Sequence, residues 1–358
     1  MPDPGSALPC RQGCCRRLLR VLSLVLLVLV ISGMTGWGAL FLYFSPLSRE
    51  PLRIGMAGAF ALGTLVAFAF FRRRWRTLLI FLVAFAALVT WFRAIPPSND
   101  RQWAPEVAVL GSATVDGSLV TLKSIRNFDY RTEADFTPRY YDKTFDLDKL
   151  QSVDLICVYW GSSAIAHLMV SFGFGGSDFV AFSIEMRPEK GEARSMVRSF
   201  FRNYELIYIV ADERDVIRLR TQFRNPREQV YIYRTRLPVE NQRKLFLSYV
   251  AKINELSRTP EWYNALKDNC TTGALERAGA YEGRGRYNWK VLLSGYAAEY
   301  AYECGMLEGS MAFPELTQRC LINARAEAAA EAEDFSARIR EGLPTPRPYT
   351  LQEFLSPP

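Results

Sequence analysis

Two side chains in this sequence are equipped for nucleophilic chemistry, and both are placed informatively. His167, in "SSAIAHLMVSFGF", is the only histidine among 358 residues. Cys270 lies in "EWYNALKDNCTTGALERAGA", directly after Asp268 and Asn269, residue types that cap helix N-termini. That position predicts the first turn of a helix, where unpaired backbone N–H groups and the macrodipole stabilise a thiolate. Thiolate is the nucleophilic form, and an imidazole facing it would supply the base of a thiol hydrolase or transferase. Taken alone, the two residue types leave blander roles open: a cysteine filling core volume, a histidine hydrogen-bonded for structure. No metal or cofactor is expected, because one histidine and scattered cysteines make a poor ligand set.

A third group would orient the imidazole. The runs "HLMVSFGF" and "DFVAFSIEMR" flank "GGS", a hairpin signal. Pairing across that turn sets residues 184–186 opposite His167, and one step in register decides which side chains share its face. Glu185 is the preferred candidate because a carboxylate both orients the ring and stabilises imidazolium. Ser183 is the alternative. Glu185 pairing instead with Arg187 or Arg194 is the competing structural role.

The elements that must position these residues follow from periodicity. "DLICVYWG", "YELIYIVADERD", "DVIRLRT" and "QVYIYRT" read as strands, and "PVENQRKLFLSYVAKINELSR" places Leu245, Phe246, Tyr249 and Ile253 on one helical face. Strands followed by helices predict an α+β domain over residues 103–320. The segment 321–358, rich in Ala and Glu, reads as a solvated helical tail. Among the cysteines, Cys304 and Cys320 are candidates for a disulfide, a pairing that spacing cannot establish. Tyr159, Trp160 and Trp262 are aromatic candidates for a groove wall, with core packing the ordinary role of each.

Three apolar runs precede that domain: Val21 to Phe44, Ile54 to Phe71 and Thr77 to Phe92, none interrupted by a charge. A bilayer core needs about 20 apolar helical residues, with about 17 as the lower limit. Residues 21–95 therefore read as three membrane spans after a segment 1–20, with Trp75 and Trp91 stretching the short third run at the interfaces. The first run is too long for a signal-peptide core and lacks a small-residue cleavage site, so it reads as retained. Eleven arginines stand against two acids in residues 1–96, so a surplus of nine lies there and the rest of the chain is net acidic by two. The basicity belongs to the membrane region, and no nucleic-acid partner is expected. Arg16, Arg17 and Arg20 before the first run, and Arg72, Arg73, Arg74 and Arg76 before the third, place the N-terminus in the cytoplasm and everything after about Ile95 outside. A short linker, 96–102 with "PPSND", keeps that domain within roughly 35 Å of the bilayer.

Four ordered blocks carry a family resemblance: "RNFDYRTEADFTPRYYDKTFDLDKLQSVDL", "YWGSSAIAHLMVSFGFGGSDFVAFSIEMRPEKGE", "YELIYIVADERDVIRLRT" and "PEWYNALKDNCTTG". Together, over about residues 123–275, they resemble the Lnb N-terminal periplasmic domain family. The resemblance implies a permuted NlpC/P60-like (papain-like) fold in which the histidine strand precedes the cysteine helix, the order found here. The Asn269-Cys270 pair also resembles the nucleophile motif of lecithin–retinol acyltransferase-like proteins. Carried over, Cys270 becomes the nucleophile and His167 the base, with Glu185 in the matching "SIEMR" block. The family's named member moves an acyl chain from a phospholipid to the N-terminal amine of a lipoprotein. Its membrane spans follow the periplasmic domain, whereas here three spans precede it.

The resemblance thus implies a protein of the bacterial inner membrane with its main domain in the periplasm. It implies a membrane phospholipid as acyl donor and a lipoprotein as acceptor. The other readings are a thiol amidase or peptidase acting on cell-wall peptides, chemistry common in the broader fold, and a non-catalytic envelope module. For the third, the arginines of "DERDVIRLRT" and "RPEKGEAR" could meet headgroups or a partner, although solvated charge is their default role.

Overall fold

The computed structural model describes residues 11–47, 49–176, 178–264, 273 and 289–355, with side chains from residue 16 onward. It divides into two units, residues 1–96 with 201–203, and residues 97–200 with 204–358. The three apolar runs of the first unit form helices α1 (Arg11–Tyr43), α2 (Glu50–Phe70) and α3 (Arg74–Ala94). At 1.5 Å per residue, the 21 residues of α2 and of α3 each reach about 32 Å, enough for a hydrocarbon core of about 30 Å. The third run is completed by arginine at both ends, Arg74 and Arg93. Leu26, Leu29, Leu65 and Ile80 face outward and are more than half exposed. Such surfaces suit lipid rather than water. Aromatic rings fill the space between the helices: Trp37 lies 5.5 Å from Phe85 and 5.3 Å from Phe92, edge to face.

The second unit is an α+β domain built on one sheet. Its strands are β1 (Ser112–Asp116), β2 (Leu119–Arg126), β3 (Asp129–Tyr130), β4 (Phe136–Thr137), β5 (Tyr140–Asp146), β6 (Ser152–Tyr159), β7 (Ala166–Gly173), β8 (Phe179–Arg187), β9 (Glu205–Ala211) and β10 (Gln229–Arg234). The sheet order is β1-β2-β9-β8-β7-β6-β10, with β5 also on β2 and β3-β4 a separate ribbon. Its ladders are antiparallel except at Arg126–Ala211, where β2 meets β9 in parallel. β7 pairs antiparallel with β8 as the sequence predicts, with Gly175 and Gly176 at positive φ in the connection. "DVIRLRT" does not form a strand. Asp212 caps a helix, Glu213–Arg218, its carboxylate accepting from Arg214 N at 2.9 Å, and a wider-wound turn, Leu219–Phe223, follows.

Residues of one parity on β7 and β8 face one layer, and those of the other parity face a second. Phe172 and Phe182 pack on the helix Val239–Arg258, where Leu245, Phe246, Tyr249 and Ile253 are buried as their spacing requires. Phe172 and Phe246 lie 5.1 Å apart, and Phe182 and Tyr249 5.2 Å. Met169, Ala181 and Ile209, on the opposite face, pack with Ile322, Ala326, Phe335 and Ile339.

The segment after Cys320 is therefore not a solvated tail. Its apolar residues recur within alanine-rich stretches and cover a face of the sheet. Arg340 fastens it: the guanidinium donates to Asp154 Oδ2 at 2.7 Å and to both oxygens of Glu213, whose Oε1 also accepts from Ser171 at 2.5 Å. The residues read as a linker are fastened as well. Ser98 N donates to Glu205 Oε1 at 3.0 Å, Asn99 Nδ2 to Leu256 O at 2.9 Å, and Arg101 pairs with Glu189 and Glu205. Cys320 is a free thiol buried in the cluster around Tyr233, so the Cys304–Cys320 disulfide is not formed. Removing one partner of a buried ion cluster strands the others. Arg340→Met should lower the unfolding free energy by about 3–5 kcal/mol, read as a shift in denaturation midpoint. An unchanged midpoint would show that the C-terminal segment is dispensable.

Candidate active site

His167 is the second residue of β7, opposite Val158 of β6. The loop that delivers it is pinned from behind. Gly295 N donates to Ala164 O at 3.1 Å, Ala166 N donates to Ser294 Oγ at 2.9 Å, and Tyr159 Oη donates to Gly295 O at 2.8 Å. A Cβ on Gly295 would come within 2.0 Å of Ser163 O, so only glycine permits this approach.

On β8, Ser183 pairs with Met169, which shares the parity of His167, so Ser183, Glu185 and the imidazole lie on one face. His167 Nε2 is 2.7 Å from Ser183 Oγ, and Ser183 Oγ donates to Glu185 Oε1 at 2.8 Å. The direct separation from Nε2 to Glu185 Oε1 is 3.7 Å. Both sequence candidates for the orienting role are thus assembled, with the serine in contact with the ring and the carboxylate behind it. Glu185 also faces Arg220 at 3.6 Å and Arg194 at 4.0 Å. Arg187 is turned elsewhere, stacked 4.1 Å from the Trp103 ring and donating to Val107 O and Ala108 O.

This chain of contacts fixes a tautomer. Burial pushes the Glu185 carboxyl up, but the positive charges of Arg220, Arg194 and Arg126 outweigh it and hold the group below the usual carboxylate range. An ionised carboxylate only accepts, so Ser183 gives its single proton to Glu185. The serine oxygen must then accept from His167 Nε2–H. Nδ1 is left as the unprotonated nitrogen, with no partner among the described residues. Burial pushes the imidazole down to about 3, helped by the positive charges of Arg220, Arg224 and Arg194 and opposed by Glu185. The ring is neutral near pH 7, and the same arginines would favour a thiolate placed beside it.

A recess of about 160 Å³ opens on the pair, lined by Trp160, His167, Ile184, Glu185, Met186, Arg194, Arg220, Arg224 and Tyr263. Of the aromatic candidates, Trp160 lines it, Tyr159 is tied to Gly295, and Trp262 lies under Arg101. Cys270 lies outside the described residues. Gly273, three positions later, is buried: a Cβ there would stand 2.9 Å from Ile184 Cδ1 and 3.3 Å from Tyr208 Oη. Ile184 is the residue between Ser183 and Glu185, so Gly273 packs on the sheet face opposite His167, and the recess at the end of β7 and β8 touches both faces. No group of His, Cys, Asp and Glu suited to a metal ion occurs among the described residues.

The sequence reading named the arginines of "DERDVIRLRT" and "RPEKGEAR" as a headgroup or partner surface, with solvated charge the default, and not as neighbours of His167. Arg220 is only 4% exposed, not solvated, and Arg126, also buried, donates twice to the buried Asp215. The available signal was Asp212 as a cap, which turns "DVIRLRT" into a helix and swings Arg220 and Arg224, four apart, toward one side.

The depressed imidazole makes stability depend on pH. Between about 6.5 and 3 the unfolded chain holds a proton on His167 that the folded chain excludes, so stability rises with pH across that window. Glu185 acts in the same direction, because its low folded value is a stabilisation lost on acidification. His167→Gln should flatten the dependence by up to about 1.4 kcal/mol per pH unit, measured by urea unfolding between pH 4 and 6.5. Equal slopes in the two proteins would contradict a neutral buried ring.

No curated protein and no solved structure matches the chain. Residues 136–295 match the family model of the Lnb N-terminal periplasmic domain. With three helices long and apolar enough to cross a membrane, this is a membrane-anchored protein with a periplasmic domain. The match contains His167, Ser183, Glu185, Arg194, Arg220 and Arg224 as well as Cys270, so the segment that carries the candidate site is similar to the Lnb N-terminal periplasmic domain family.

Proposed function

We propose that this protein is a cysteine-dependent acyltransferase that draws on membrane phospholipid, with Cys270 as nucleophile and His167 as base. The observation that carries this reading is the His167–Ser183–Glu185 relay, which leaves Nδ1 as a neutral base, without a partner among the described residues, near the start of β7. Gly273 supports it from the other side. Three residues of chain span at most about 11 Å, so the backbone of Cys270 is tethered within that distance of a residue in contact with Ile184.

In the first half-reaction Nδ1 takes the thiol proton, and the sulfur attacks the ester carbonyl of a phospholipid. The C–O bond breaks, the proton passes to the leaving alkoxide, and a lysophospholipid departs from a Cys270 thioester. In the second, an amine attacks the thioester, the C–S bond breaks, and an amide forms as the proton returns to sulfur through the imidazole. The acceptor in this reading is the N-terminal amine of a lipoprotein. The sequence predicts a helix start at Cys270, and in this reading its backbone N–H groups hold the developing oxyanion. Arg16, Arg17 and Arg20 in the N-terminal part of α1, and Arg72, Arg73, Arg74 and Arg76 around the start of α3, support a cytoplasmic N-terminus with the acyl-transfer domain outside. Anchoring in the bilayer keeps the lipid at high effective concentration.

Full-length protein incubated with phospholipid vesicles should gain one acyl mass, located on the Cys270 peptide by mass spectrometry. Cys270→Ala should abolish the adduct. An adduct of undiminished yield in that variant overturns the reading. Release of amine from peptidoglycan fragments, with no acyl adduct from lipid, would replace it by a thiol amidase.

A further inference from the structure

Beside the imidazole recess, and sharing Glu185, Arg194, Arg220 and Arg224 with it, lies a larger cavity of about 430 Å³. Its charged walls are only partly paired: Arg224 Nη1 donates to Glu228 Oε1 and Arg220 Nη1 to Val216 O, and the remaining approaches are longer. Arg194 stands 3.3 Å from Glu106 and 4.0 Å from Glu185, and Arg220 stands 3.6 Å from Glu185 and 3.7 Å from Glu228. None of these contacts has hydrogen-bond geometry. Among the described residues, Arg220, 4% exposed, keeps a buried Nε without a hydrogen-bond partner, and so does Arg224, whose Nε is 3.3 Å from Glu133 Oε1. Buried donors of this kind normally find acceptors, and each one left open costs free energy. Three guanidinium groups with unspent donors around one cavity are suited to the oxygens of a phosphate.

A simple anion does not match the whole wall. Glu106 and Glu133 line the same cavity, and an added negative charge would face them across it. They are partly exposed, whereas Arg220 is not. Tyr130 and Phe136 complete the wall between them, with their rings 5.4 Å apart. A ligand with phosphate inward and ammonium outward satisfies both signs, the ammonium meeting carboxylates and aromatic faces. We infer that this cavity binds a phosphodiester bearing an amine, a phosphoethanolamine headgroup, with Arg194, Arg220 and Arg224 on the phosphate and Glu106 and Glu133 on the ammonium. Resting on the acyl-transfer reading, this makes the cavity the headgroup site of the acyl donor, beside the recess that holds His167.

The test uses full-length protein in detergent carrying Cys270→Ala, so that no turnover intervenes. Calorimetric titration with glycerophosphoethanolamine, glycerophosphoglycerol and inorganic phosphate reads the site directly. Glycerophosphoethanolamine should bind most tightly. Arg194→Gln should weaken it roughly tenfold, the size of one lost charge-assisted contact, and Arg194→Lys should weaken it less. Glu133→Gln should weaken glycerophosphoethanolamine but leave glycerophosphoglycerol unchanged or tighter. Arg194 is partly exposed, and an unaltered denaturation midpoint confirms that its variants fold. No binding by the parent, equal binding by parent and Arg194→Gln, or equal affinity for all three probes overturns the inference. A Cys270 thioester formed in the wild type alongside any of these results leaves acyl transfer standing. Headgroup binding without a thioester would retire the chemistry and keep the site.

Discussion

The single proton of Ser183 organises the candidate site. A serine hydroxyl can donate once, and the ionised Glu185 behind it takes that donation. The imidazole in front must then donate in turn, and its far nitrogen becomes the base. Three side chains on two adjacent strands thus settle where a proton sits and where one can be received. The hydrogen bond to the ring comes from the serine, while the carboxylate stands 3.7 Å behind it and its pull toward a protonated ring is outweighed by burial and the arginines.

That relay depends on the elements around it. β7 and β8 are interior strands of the sheet, and the loop before β7 is clamped by Ser294 and Gly295. Arg220 and Arg224 arrive from the turn after the helix Glu213–Arg218, which is anchored below by Asp215 to Arg126 and by Glu213 to Arg340. Two buried ion clusters therefore hold one short helix in place, and that helix sets the field at the imidazole. Buried clusters are costly to form, which fits a role in fixing geometry more than in adding stability.

Much of this was legible in the sequence. The β7–β8 hairpin announced itself by alternation and "GGS", the helix Val239–Arg258 by its apolar stripe, and the membrane helices by uninterrupted apolar length. Ser183 and Glu185 were legible as neighbours of His167 because strand pairing is short in range. What stayed hidden was long in range. Arg220 looks like an exposed charge until Asp212 is seen to cap a helix, and Arg340 gives no local sign that it will be buried against residues 127 and 186 positions earlier. The Ala- and Glu-rich segment around it misled for the same reason, since composition does not reveal a sheet face waiting to be covered.

The central claim is the tautomer, and a chain with one histidine allows it to be measured without assignment. ¹⁵N-histidine labelling gives a single pair of ring resonances. The account predicts a protonated Nε2 and an unprotonated Nδ1 at neutral pH, with no second protonation until well below pH 6.5. Replacing Ser183 with alanine should remove that preference. A proton on Nδ1 in the wild type, or a ring that titrates near 6.5 and ignores the loss of Ser183, would contradict it.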